Sequence, residues 1–313
     1  MTENQTASAP DRGDGEPAGT VAVPIPGAPD VVRLEHDVRR LSVIRHPEAD
    51  PDALAAVQDF IALELGAAGL RVERQLFRWK GREFHNVVAT RDGTDPSRPW
   101  IVVGAHFDST PNTPGADDNA SGVAALLEIA RLLQGFQPAA TLQFVGFNLE
   151  EIQQLLPPAY RIGSKAYVKW LTDQVAVVAG AFVLEMVGFT GPSQRVPAAV
   201  RLVKKIPAEG TFLAAVGDGN SRHLLRAMER AASGVVELVT LAVPLKGYAV
   251  PDTRRSDNAR FWDADYPSLM VTDTADLRNP HYHKPSDTPD TLDYAFMGKV
   301  VTTVAKAVVE LSA

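Results

Sequence analysis

Four short apolar runs, each leading into a histidine or a carboxylate, constrain this chain more than any other feature. They are Trp100–Gly104 (WIVVG), Thr141–Phe147 (TLQFVGF), Val175–Leu184 (VAVVAGAFVL) and Pro267–Val271 (PSLMV). Unbroken β-branched and apolar stretches of this length suit strands that are covered on both faces. Helical patterns separate them. Ser121 opens one whose apolar stripe is Val123, Leu126, Leu127, Ala130 and Leu133, and others are expected over Lys165–Leu171, Ser221–Ala232 and Met297–Leu311. Strands alternating with helices imply an α/β fold: a three-layer sandwich with a mixed, mainly parallel central sheet flanked by helices.

The rest of the chain fills in around that core. Val31–Leu41 and Pro51–Leu70 read as helices, the second through Leu54, Val57, Ile61 and Leu65. Arg71–Trp79 alternates like a strand, and His85–Thr90 reads as its partner. Between Pro192 and Val250 the pattern weakens to one legible helix, so residues 192–250 are expected to be an insertion that helps form a substrate pocket. Residues 30–313 then make one domain. Residues 1–29, rich in Pro, Gly, Ala, Asp and Glu, are expected to form a disordered tail.

Composition removes whole classes of function. With no cysteine, disulfides, thiolate metal sites and cysteine nucleophiles are excluded, and a metal must be held by His, Asp and Glu. A formal charge of −7 argues against a nucleic-acid partner, which needs a basic face. Val175–Leu184, the longest apolar stretch, is about half of a membrane span, so no membrane insertion is expected. The N-terminus shows no secretory signal, giving an expectation of a cytoplasmic protein unless a leader has been removed.

Open α/β sheets place their chemistry beyond the carboxyl ends of the strands. There this chain sets Ala105-His106-Phe107-Asp108, Asn148-Leu149-Glu150-Glu151, Glu185-Met186-Val187-Gly188 and the late segment His281-Tyr282-His283-Lys284. Gly115-Ala116-Asp117-Asp118-Asn119-Ala120-Ser121-Gly122 precedes the long helix. Taken singly, each has a plain reading: His106 as a structural histidine, Asp117-Asp118 as helix caps, Glu150-Glu151 as a solvated loop. Glu185 is harder to dismiss, because a carboxylate after ten apolar residues needs a partner or a proton. Together the groups would repel one another unless a cation sat among them. Oxygen and nitrogen donors without sulfur suit Zn2+, and also Mn2+ or Co2+. His36, His46, His85 and His223 stand apart from any carboxylate pattern, and His281 ranks below His283.

In this order, GAHFDS, GADDNASG, the Glu-Glu pair, LEMVG and YHKPSDT resemble the M28 family of co-catalytic zinc peptidases, bacterial leucyl-type aminopeptidases among them. The likeness runs from about Val87 to Tyr294. It implies a zinc-dependent exopeptidase fold and two Zn2+ per chain. His106, Asp118 and Glu185 would hold one ion; Asp118, Glu151 and His283 would hold the other, with Asp118 bridging. The same resemblance makes Glu150 the general base for a water activated by both ions, and Asp108 the group that orients His106. Tyr282 would either stabilise the oxyanion or pack beneath its loop. In some members the peptide bond after the bridging Asp is cis. The implied substrate is a peptide with a free N-terminus.

Three departures stand out. Glu185 occupies a place where many relatives have Asp. Ser256-Asp257-Asn258 replaces a Ser-Asp-His, and Ile152–Tyr160 (IQQLLPPAY) is a longer link than usual. Three rival functions follow. One is a glutaminyl-cyclase-like aminoacyltransferase using one metal. Another is a carboxypeptidase, with Arg254, Arg255 or Arg278 clamping the substrate carboxylate. The last is a non-catalytic binding domain.

Overall fold

The computed structural model describes residues 25–152 and 160–313. Residues 1–24 of the expected tail and residues 153–159 of the proline-rich link lie outside the described residues. One eight-stranded sheet organises the chain. Its strands are β1 (Arg71–Trp79), β2 (Arg82–Arg91), β3 (Trp100–His106), β4 (Leu142–Phe147), β5 (Val178–Glu185), β6 (Leu213–Asp218), β7 (Leu238–Val243) and β8 (Ser268–Thr272). They lie in the order β1-β2-β4-β3-β5-β8-β6-β7. The central strands β4, β3, β5 and β8 pair in parallel. β1, β2 and β4 join antiparallel, β6 runs antiparallel to β8, and β7 follows β6 in parallel.

Helices cover both faces, as the alternation implies. α1 (Val31–Leu41), α2 (Pro51–Ala67), α3 (Gly122–Leu132), α6 (Arg222–Ala232) and α8 (Tyr294–Ser312) contribute to one core. α4 (Ile162–Asp173) and α7 (Asn258–Asp263) contribute to the other, and α5 is a single turn, Ala198–Arg201. β3 shows the division: Ile101, Val103 and Ala105 enter the first core, while Val102 enters the second. That alternation, with neither set exposed, is what an unbroken apolar run permits. Helix starts are equally local. Asp30, Asp50 and Asp293 cap α1, α2 and α8 by accepting backbone N–H bonds from Arg33, Ala53 and Phe296. Among the described residues no helix is long and apolar enough to cross a membrane.

Differences from the sequence reading are confined to weak patterns. β5 starts at Val178 because Val175 and Val177 are exposed, although both are apolar. β6 (LAAVGD) is rich in residues with poor strand propensity, β7 is an edge strand, and α7 is too short to show a helical period. Residues 192–250 supply β6 and β7 to the common sheet. The four parallel strands end on one edge, which brings His106, the Glu150 loop, Glu185 and the segment after β8 together.

Candidate metal centre

His106 closes β3 and is buried. Asp118 comes from a widened turn, Ala116–Ser121, between β3 and α3. Gly115 enters that turn at φ 59°, and a Cβ there would stand 2.1 Å from the Asp118 carbonyl oxygen, so the turn requires glycine. The Asp118–Asn119 peptide is cis, as in some relatives of the family it resembles. Asp287 accepts the backbone N–H groups of Asp117 and Asp118, at 2.9 and 3.1 Å. Asn119 ties the turn to β5 by donating to the Leu184 carbonyl and accepting from Met186 N–H.

Arg45 was not singled out in the sequence, yet it is the main clamp behind these loops. It is fully buried and donates to the carbonyls of Phe107 (2.6 Å), Gly115 (2.8 Å) and Asp118 (3.3 Å), and also to those of Val43 and Pro114. A lone arginine in a loop carries no pattern that would reveal this.

Asp108 makes contacts beyond the one implied. Its carboxylate accepts the backbone N–H groups of Glu150 and Glu151, both at 2.9 Å. His106 Nδ1 lies 3.2 Å from the Asp108 carbonyl oxygen and 3.6 Å from its carboxylate. The backbone carbonyl is the nearer partner of the ring, and the carboxylate holds the glutamate pair while also standing beside His106. Asn148, just before the pair, is anchored through its N–H to Asn86 and through its carbonyl to Gly163 N–H.

The five expected ligands meet. His106 Nε2 lies 3.4 Å from Asp118 Oδ1 and 3.5 Å from Glu185 Oε2. His283 Nε2 lies 3.1 Å from both Asp118 Oδ2 and Glu151 Oε1. Asp118 is 1% exposed, and neither of its carboxylate oxygens has a hydrogen-bond partner among the described residues. Two donors each ~2.0–2.1 Å from one tetrahedral ion stand roughly 3.4 Å apart, so the His106 spacings fit atoms that share a cation better than atoms bonded to each other. His106, Asp118 and Glu151 also offer donor atoms that all lie within 4.8 Å of one another. The set of imidazoles and carboxylates suits zinc.

The electrostatics agree. Burial pushes the Glu151 carboxyl up to about 8, with Asp118 adding to the rise and His283 opposing it. Glu150 is raised well above the carboxylate range by burial and by Glu151, Asp257 and Glu185. For His283, burial is outweighed by Asp118 and Glu151, which lift the imidazole to about 10. Such a cluster needs extra protons or added positive charge to be stable.

Around the centre, Ser256 donates to Glu185 Oε2 at 2.6 Å. Asp257 is fully buried, with neither carboxylate oxygen hydrogen-bonded among the described residues, and it acts on the Glu150 carboxyl, so the altered Ser-Asp-Asn segment still delivers an acid close to the site. Tyr282 stacks on the His283 ring, centroids 3.8 Å apart, and its hydroxyl accepts from Arg255 at 3.0 Å. His281 instead pairs with Ser286, and His223 with the Ala179 carbonyl. His46 accepts from the N–H groups of Glu48 and Ala49.

Beside Glu185 and Tyr282 opens a cavity of about 130 Å3. Its walls are largely apolar, from Val200, Phe212, Ala214, Val216, Leu241 and Met270. Ala214, Val216 and Leu241 belong to β6 and β7 within the 192–250 segment expected to help form a pocket, and Met270 belongs to β8. Their apolar side chains look the same in a sequence whether they fill a core or line a pocket. A second groove is bordered by His46, Trp79, Glu151 and His283.

Comparison with known proteins gives this geometry its context. Residues 86–308 match the profile described as Peptidase family M28. The chain is 34% identical over 287 residues to YfbL of Escherichia coli (strain K12), described as uncharacterized, covering 87% of this chain and 85% of that one. It is 29% identical to a probable leucine aminopeptidase 1 of Trichophyton verrucosum (strain HKI 0517), covering 73% of this chain but 58% of the fungal one. Among solved structures, an aminopeptidase from Aneurinibacillus sp. strain AM-1 superposes with a TM-score of 0.70 at 17% identity, over 91% of this chain and 94% of that one. A glutaminyl cyclase from Porphyromonas gingivalis superposes with a TM-score of 0.69, also at 17% identity, over 90% and 99%. At such identities the two structures speak for the fold alone, here the α/β sandwich of zinc exopeptidases. The profile match spans most of the sheet and every ligand segment, so the chain belongs to peptidase family M28 and with it to the zinc metallopeptidases.

Proposed function

We propose that this chain is an aminopeptidase that hydrolyses the first peptide bond of peptides with a free N-terminus, using two zinc ions. One observation carries the reading. The two oxygens of the buried, otherwise unpartnered Asp118 face different imidazoles, Oδ1 toward His106 and Oδ2 toward His283. This is the arrangement of a bridging carboxylate. His106, Asp118 and Glu185 would hold one ion, and Asp118, Glu151 and His283 the other. Bound there, a pair of dications acidifies a water and polarises the scissile carbonyl.

The protein's own groups do the rest. Glu150, held through its backbone by Asp108, takes the proton of the attacking water and returns it to the leaving amine. Tyr282, at the cavity mouth, donates its hydroxyl proton to the oxygen that becomes charged. The apolar cavity receives the N-terminal side chain, favouring leucine, methionine and phenylalanine.

Against the carboxypeptidase reading, each of its three candidate arginines is engaged among the described residues. Arg254 is bonded to Asp263 and the Lys246 carbonyl, Arg255 to Asp276 and Tyr282, and Arg278 to Gln194 and the carbonyls of Phe189 and Phe212. A cyclase working with one metal would leave half of Asp118 uncompensated. A binding domain would have no use for Glu150 beside a full ligand set.

Metal content by mass spectrometry, read alongside release of p-nitroaniline from aminoacyl-p-nitroanilides with and without a chelator, tests the proposal. About two zinc ions and chelator-sensitive release are expected. One metal with cyclisation of N-terminal glutamine, release of C-terminal residues, or no turnover at all would each overturn it in favour of a different rival.

A further inference from the structure

On the rim of the cavity, Arg255 makes two directed bonds: Nη1 to Asp276 Oδ1 at 2.6 Å and Nη2 to Tyr282 Oη at 3.0 Å. Asp276 is held in turn by Arg195. Among the described residues the Tyr282 hydroxyl makes no other hydrogen bond, so it receives one and donates none. A phenol has a single proton, and a guanidinium donating to its oxygen repels that proton to the opposite side. Arg255 is partly solvent-exposed, where an ion pair contributes only ~0–1 kcal/mol, so stability gives little reason for the arrangement. Neighbouring Arg254 shows the contrast, being spent on Asp263 and the Lys246 carbonyl with no contact to the site.

We propose that Arg255 is a positioning residue for peptide hydrolysis: by donating to Tyr282 Oη, with Asp276 holding the guanidinium in place, it turns the tyrosine proton toward the developing oxyanion. This rests on the aminopeptidase reading above. Arg255 itself does not touch the reacting atoms. Its effect is to convert a hydroxyl that could rotate into a donor with one direction. Such preorganisation adds to the rate because the cost of orientation is met before the reaction begins.

Four variants test the idea: Arg255→Met, Arg255→Lys, Tyr282→Phe and the double variant Arg255→Met/Tyr282→Phe, assayed on leucine p-nitroanilide. Loss of the hydroxyl is expected to lower kcat ~10²-fold or more. Arg255→Met should lower kcat about tenfold with KM changed less than about twofold, and Arg255→Lys should fall between it and the unmodified enzyme. The double variant should be no slower than Tyr282→Phe alone. Zinc content should be the same in all four. An α-aminoalkyl boronic acid, whose tetrahedral anion copies the charged oxygen, should bind more weakly to Arg255→Met but not further weakly once Tyr282 is Phe. Multiplying losses in the double variant, an effect on KM alone, loss of zinc, or an unchanged kcat in Arg255→Met would each overturn the inference. Absence of leucine release by the unmodified enzyme would instead fail the aminopeptidase reading itself.

Discussion

The two ends of this active-site edge are built by opposite means. Where β3, β4 and β5 finish, backbone groups are held by named partners: Arg45 takes the Phe107, Gly115 and Asp118 carbonyls of the β3–α3 connection, Asp108 takes both glutamate N–H groups, and Asp287 takes two from the Asp118 turn. Where β8 finishes and β6 and β7 begin, the walls are apolar side chains whose positions depend on packing. Charge chemistry requires atoms fixed to fractions of an ångström, whereas selection of an apolar side chain requires only volume and dryness. The molecule separates the two tasks along one sheet, so each half can change without rebuilding the other.

The sharpest test of that division is Glu150→Gln. It should retain the metals and lose ~10²–10⁴-fold in kcat on every N-terminal residue alike, because a general base serves all substrates. A loss that depended on the substrate's side chain would break the separation. Metal content and kcat across several aminoacyl amides give the reading.

Next in size is Ala214→Leu on the cavity wall. The added carbons take up room within about 130 Å3, so kcat/KM for leucyl and phenylalanyl substrates should fall ~10–200-fold while alanyl substrates change far less. Equal losses on all three would place the N-terminal side chain elsewhere.

Smallest is Arg45→Lys, which keeps the charge but cannot reach the same carbonyls. Zinc affinity, measured by competition with a chelating dye, should weaken ~10–100-fold with the substrate ranking unchanged. An altered ranking would show that the clamp also shapes the cavity.

The same contrast explains what the sequence discloses. Trp100–His106 and the segment ending at Glu185 are legible because long apolar runs that stop on a charged residue break the usual pairing of burial with neutrality. The order of the motifs makes the family legible as well. Val216, Leu241 and Met270 give no such warning, since a pocket wall and a core have the same composition. Arg45 was invisible for the reverse reason: its partners are carbonyl oxygens, which every residue has. Asp108 shows a subtler limit. Its place in the motif is evident, but only the folded loop reveals that the carboxylate also accepts the Glu150 and Glu151 N–H groups.

The strand order has a kinetic corollary. β8 is the last strand in the chain yet sits between β5 and β6, so the sheet stays in two pieces until late-synthesised residues slot into the gap. His283 follows β8, and so the last of the proposed ligands arrives only when that non-local pairing closes. High contact order slows assembly of this kind. With the proposed ligand set, zinc capture would become a readout of completed topology.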